Sequence, residues 1–288
     1  MNLISKNFLK TLSGLGFCFI ASLLSSTNKV SASACPTNPS SSYFNSNGSC
    51  YITPDAYKIT VYEMGLCTSD PLATTTVAEN GDVTTDYAIN ESSCSATFIN
   101  ENGVTLDLAG GAAQALTGGT NLRPPNGSYG HAYIKIKNVF GLKGTYTVND
   151  VQYYSKANGA QDTSASNYAE WNETLVDFDK GSECEPVEGN RLMAASETFN
   201  TGVTGTMKAM LASVSGGTYS GTTQANCGDS TRLFGVFAPT EAVVISDDTK
   251  GLEVSFTITN RGMSVIPQNA PAILKFGSGP FSPSFATF

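Results

Sequence analysis

Along residues 252–258 apolar and polar side chains alternate without a break: Leu252, Val254, Phe256 and Ile258 take one side, Glu253, Ser255 and Thr257 the other. A period of two marks a β-strand that buries one face and wets the other. The pattern recurs in Tyr57, Ile59 and Val61 against Lys58 and Thr60, and in Ala132, Ile134 and Ile136 against Tyr133, Lys135 and Lys137. Three half-buried strands are therefore predicted.

Turn chemistry extends the reading. Asn102-Gly103 lies between Phe98-Ile99 and the alternating Val104, Leu106 and Leu108. Asn-Gly accepts the positive φ angles of a two-residue hairpin loop, so a hairpin is predicted there and again at Asn80-Gly81. Asn149-Asp150 would set Val148 opposite Val151 and Tyr146 opposite Tyr153, two favourable cross-strand pairs. Residues 242–246 predict a strand, followed by a loop into Leu252. Helical signal is confined to two places. Met207, Met210, Leu211 and Val214 have i, i+3, i+4, i+7 spacing, with Thr206 as cap and Gly216-Gly217 as stop. Residues 110–116 suggest a turn of helix. There are no heptads, no repeats and no βαβ rhythm. The expected fold is all-β, an antiparallel β-sandwich with at most one or two short helices.

The N-terminus carries an address. Lys6 and Lys10 precede an apolar run over residues 12–24, and a polar stretch leads to Ala32-Ser33-Ala34. That order of charged, apolar and small-residue segments is a secretory signal peptide, assigned to residues 1–34 with the mature chain starting at Cys35. The run is shorter than the ~20 residues that span a bilayer, so no transmembrane anchor is expected in the mature chain. A lipoprotein leader would place Leu where Ala32 stands. A pilin-type leader would need a glutamate where Ala21 stands. The remaining segment 35–288 reads as one β-rich domain. Long polar loops over 116–130 and 155–167 leave two β domains, 35–160 and 161–288, as the alternative.

Of the seven cysteines, Cys18 falls in the leader, which leaves Cys35, Cys50, Cys67, Cys94, Cys184 and Cys227. An even number in an exported chain reads as disulfides. Sequence does not choose among the pairings; the sequential set, Cys35–Cys50, Cys67–Cys94 and Cys184–Cys227, is the expectation. Zinc is disfavoured, since no pair has C-x-x-C spacing and His131 is the single histidine.

The leader holds three of the 16 basic residues and none of the 24 acidic ones, so the mature chain has 13 against 24. Such a field repels nucleic acid and anionic membrane surfaces. Charged residues make up 14% of the chain, against about 25% in average soluble domains. Gly, Ser, Thr and Asn supply a polar surface of low charge instead.

Catalytic motifs are missing. His131 has no G-x-S-x-G elbow to serve, and there is no phosphate- or dinucleotide-binding glycine pattern. The 24 acids would allow a glycosidase pair, but nothing selects two of them, and Trp171 is the lone tryptophan. Four N-x-S/T sequons occur, at Asn47, Asn90, Asn126 and Asn172. The acidic group Asp177, Asp179, Glu183 and Glu188 has the oxygen chemistry and partial spacing of a calcium loop, although Ser182 stands where an EF-hand carries glycine. Calcium is the one cofactor the sequence suggests. The expected function is an exported, extracellular or cell-surface β-protein with a structural, adhesive or interaction role, its partner a surface, glycan or protein. The alternative is an extracellular carbohydrate-binding or carbohydrate-hydrolysing protein using an Asp/Glu pair.

Overall fold

Alternating strands of this kind need partners on both edges and a cover over the apolar face. The computed structural model shows how both are met. It describes residues 33–72, 89–110, 116–157, 159–178, 183–184, 192–201, 203–267 and 274–288. Residues 1–32, the hairpin predicted at Asn80-Gly81 and residues 111–115 of the predicted helical turn lie outside these.

In chain order the elements are α1 (Ser42–Asn47), β1 (Cys50–Ile52), β2 (Ala56–Cys67), β3 (Cys94–Asp107), β4 (Thr120–Asn121), β5 (Gly127–Tyr129), β6 (His131–Lys137), β7 (Val139–Lys143), β8 (Thr145–Val148), β9 (Val151–Ser155) and β10 (Gln161–Asp162). There follow β11 (Trp171–Thr174), β12 (Ala194–Thr201), β13 (Val203–Ser215), β14 (Thr218–Gly221), β15 (Arg232–Pro239), β16 (Val243–Ile245), β17 (Leu252–Thr257), β18 (Met263–Pro267), β19 (Leu274–Ser278) and β20 (Ser282–Thr287). All strand pairs among the described residues are antiparallel. The fold is all-β, as the alternation predicts.

A ten-stranded sheet runs β11-β7-β2-β6-β15-β13-β12, with β3 and β4 branching from β2 and β14 from β13. It takes strands from both sides of residue 160. Smaller sheets, β1-β18-β19 and β8-β9-β10 among them, lie beside it. The main core is shared between these layers. Tyr57, Ile59, Val61, Ile136, Leu142 and Leu211 of the large sheet pack in one cluster with Cys50, Met263, Val265, Leu274 and Phe276 of the three-stranded sheet. Two sheets meeting over one apolar layer is sandwich packing.

The Asn149-Asp150 hairpin forms in the predicted register, Val148 opposite Val151 and Tyr146 opposite Tyr153. Both loop residues have positive φ, 50° and 62°, as a type I′ turn requires. All three sequential disulfides are present.

Three expectations are corrected. Asn102-Gly103 is no hairpin: β3 runs straight through it, and the pair sits in a bulge where Val104 opposes Val61 but Ile99 opposes Glu63. The Asn102 amide donates to Asn100 Oδ1, and Gly103 takes φ 75°. Of the pair only Gly103 takes a positive φ, and it serves the bulge instead of a turn. The helix at 206–215 is strand β13, and Gly216-Gly217 is a hairpin loop with φ 56° and 82°. Ala209, Met210, Leu211 and Ala212 are all buried because β13 is covered on both faces, and a continuous apolar run does not distinguish helix from strand. Strand β6 is likewise buried on both faces, with Tyr133 and Lys135 each 5% exposed. At the C-terminus β20 pairs with β17, with Pro283 opposite Phe256.

Candidate functional site

The second face of β6 is where ionisable groups gather, and a bulge in β2 puts them there. Residues 57, 59 and 61 point into the main core, so strict alternation would send Glu63 after them. Tyr62 is instead an extra residue: Val61 opposes Ile136 and Glu63 opposes Lys135, its next neighbour along β6. The bulge turns Glu63 outward and brings Met64 and Leu66 inward. Across the sheet, Glu63, Lys135, Phe234 and Met210 then form one row, and Gly65, Tyr133, Val236 and Lys208 the next.

Cover over this face comes from the described parts of the segment that the Cys67–Cys94 disulfide closes, residues 68–72 and 89–93. Leu72 and Ile89 pack with Tyr133, Leu192, Met210, Phe234 and Val236. Two ion pairs fasten the same segment to the sheet, Asp70 to Lys208 at 2.6 Å and Glu91 to Lys135 at 2.6 Å. Asp70 also accepts the Leu72 amide at 2.8 Å, which fixes the turn that lowers Leu72 onto the sheet.

Lys135 is the hub. Its ammonium lies 2.6 Å from Glu91 and 3.1 Å from Glu63, and 4.7 Å from the Tyr219 ring centroid. Burial opposes its charge, but the two carboxylates outweigh burial and hold its pKa above the ordinary lysine value. The Tyr133 phenol donates to Glu63 at 2.6 Å, and burial followed by that bond raises its pKa. Tyr133 stacks on Phe234 at 5.7 Å, over Gly65, whose missing side chain makes room. A lysine held protonated is no nucleophile. The group is chemically a buried cation balanced by two acids, suited to fastening a loop.

A groove of about 420 Å³ opens elsewhere, lined by Thr204, Thr240, Glu241, Val244, Phe285 and Thr287 among others. The Thr204 and Thr240 hydroxyls meet at 2.7 Å. The Phe285 ring is supported from behind by Phe237, 5.6 Å away. Hydroxyls, one carboxylate and a braced aromatic ring are groups that hold small polar ligands. Tyr154 and Tyr168 form another aromatic surface, but Lys143 sits 4.2 Å over the Tyr168 ring, whose phenol donates to Asp55.

The residues singled out from sequence are dispersed. Asp177 is 1% exposed, whereas the Glu183 side chain is 62% exposed and lies 3.8 Å from Lys275. Asp179 and Glu188 lie outside the described residues, and no group of three metal-ligating side chains occurs among the described ones. His131 opens β6 opposite Cys67, with its Nδ1 buried and unpartnered among the described residues. Trp171 is 6% exposed in the main core, so it offers no platform for a sugar. The sequon asparagines Asn47, Asn90, Asn126 and Asn172 are all exposed. Glu63, Glu91 and Lys135 were missed by sequence reasoning. One signal for them existed: apolar parity along β2 switches from Tyr57, Ile59 and Val61 to Met64 and Leu66, which marks a bulge beside Glu63.

Comparison of the chain with family models, curated proteins and solved structures gives no match. No helix among the described residues is long and apolar enough to cross a membrane.

Proposed function

We propose that the chain is an exported β-protein that works outside the cytoplasm by presenting a rigid surface, in a structural, adhesive or interaction role. The observation that carries this reading is the use of its strongest chemistry for bracing. Three disulfides and the Lys135–Glu63–Glu91 group tie loops to sheets, and disulfides persist in oxidising compartments. The leader sequence and low-charge polar surface support the same address. The test is expression with the native leader, followed by fractionation and thiol labelling of the unreduced protein. Recovery outside the cytoplasm with all mature cysteines unreactive is expected. Turnover by the purified protein on glycoside or ester panels refutes the non-catalytic role.

A second reading, carbohydrate binding, is favoured by the groove at Thr204, Thr240, Glu241 and Phe285. Glu241 is the single carboxylate among its lining residues, which suits binding better than a two-carboxylate hydrolysis. A glycan array comparing wild type with Phe285→Ala decides it: glycan binding lost in the variant supports the groove, and absence of binding by wild type removes the reading.

A further inference from the structure

Ser33 and Ala34, although part of the stretch that a leader reading assigns to the discarded segment, belong to the fold. The Tyr51 amide donates to the Ser33 carbonyl at 3.0 Å, and the Cys35 amide donates to the Tyr51 carbonyl at 2.8 Å. Together they form a parallel bridge of Ala34 with Tyr51. Tyr51 is the middle residue of β1, whose other edge pairs with β18 through Tyr51 opposite Ser264. The bridge thus lies on the edge of the three-stranded sheet, where an uncovered strand would offer its amides to another chain. Cys35, the next residue, is bonded to Cys50, which is fully buried.

We propose that the exported protein is cut between Ala32 and Ser33, two residues before the boundary expected from the small-residue pattern alone. The proposal rests on the export reading and sharpens it. A leader peptidase reads compact, uncharged side chains one and three residues before the cut. Ala32 and Val30 meet that requirement for the Ala32–Ser33 bond, just as Ala34 and Ala32 do for the bond after Ala34. The apolar run ends at Leu24, so the earlier bond is also the nearer one.

The structure separates the two. Cutting after Ala34 removes the Ser33 carbonyl that receives the Tyr51 amide, and it turns the Cys35 amide into a charged terminus. Cutting after Ala32 leaves both bonds of the bridge intact and places the new charge on Ser33, outside them. Water is the co-reactant. The Ala32–Ser33 amide breaks, Ala32 keeps the carboxylate on the leader and Ser33 gains the α-ammonium. Cys35 is then an internal residue, its sulfur committed to Cys50 and not to a lipid.

The experiment is intact-mass measurement of unreduced protein exported with its own leader, for wild type, Val30→Asp and Ala34→Leu. Val30→Asp places a charge at the third position before the proposed cut only. Ala34→Leu blocks only the later one. The expected results are a wild-type product starting at Ser33, the same start in Ala34→Leu, and loss of that product in Val30→Asp. A wild-type product starting at Cys35, heavier or not by a lipid, overturns the cleavage assignment while leaving export standing. Uncut precursor in the cytoplasm for wild type overturns both.

Discussion

Replacing Lys135 by Met keeps most of the aliphatic stem and removes the charge from the hub it forms with Glu63 and Glu91. The lysine side chain is 6% exposed, Glu63 22% and Glu91 33%. Breaking a buried ion pair by deleting one partner costs about 3–5 kcal/mol, because the remaining charge stays without compensation. Glu63 keeps the Tyr133 phenol and Glu91 can recover water, so the lower end applies, about 3 kcal/mol. At roughly 2–4 °C per kcal/mol for a chain of this size, the melting temperature should fall by about 6–12 °C. Thermal and denaturant melts of the oxidised protein measure it. The triple variant Lys135→Met, Glu63→Gln, Glu91→Gln removes the stranded charges as well and should regain more than half of the loss. High salt should change the wild-type value little, since a buried pair is weakly screened. A loss below about 1 kcal/mol for Lys135→Met is the size of an exposed ion pair and would refute the reasoning, as would a triple variant no better than the single.

Three further outcomes are expected. Gly65→Ala should destabilise by about 1–3 kcal/mol in the same melts, since overpacking forces neighbours aside; the added Cβ would lie 2.4 Å from the Tyr133 ring and 2.5 Å from the Ser95 carbonyl. Alkaline pH should destabilise the protein. Burial raises the pKa of Tyr57 and Tyr133, and that of Tyr146 up to about 12, while its two acids raise that of Lys135. Groups raised in the folded state stabilise it below their unfolded values, and that contribution disappears as pH climbs through the folded ones, so stability should hold to about pH 10 and then decline. Full phenolate absorbance at about pH 12 with the fold intact would contradict this. A chelator should leave the melting temperature unchanged, because Asp177 is buried and Glu183 faces Lys275; a clear drop would establish the calcium loop.

What could be seen in the sequence was whatever is local. The Leu252, Val254, Phe256 alternation, the Asn149-Asp150 turn and the closely spaced cysteines each depend on neighbours along the chain. The buried hub depends on distance: Lys135 stands 72 residues from Glu63, and only pairing of β2 with β6 joins them. Nor could Lys135 be recognised as buried, because alternation shows which residues share a face and not whether a second cover lies over it. Strand β13 failed for the same reason. Covered on both sides, it carries a run of apolar residues that satisfies a helical template equally well. At Asn102-Gly103 the local chemistry was legible, but whether positive φ serves a turn or a bulge is settled by the partner strand.

The Cys184–Cys227 bond has a mechanical side. Strands β12, β13 and β14 all lie between these two cysteines. If the two ends of the chain are pulled apart, tension crosses the sulfur–sulfur link and bypasses those strands. The 43 residues of sequence separation, at about 3.4 Å each, represent roughly 150 Å of thread that cannot be drawn out while the bond holds. One end of the large sheet is thereby insulated from load, and its outermost strand can keep its register while the rest of the molecule bears the strain.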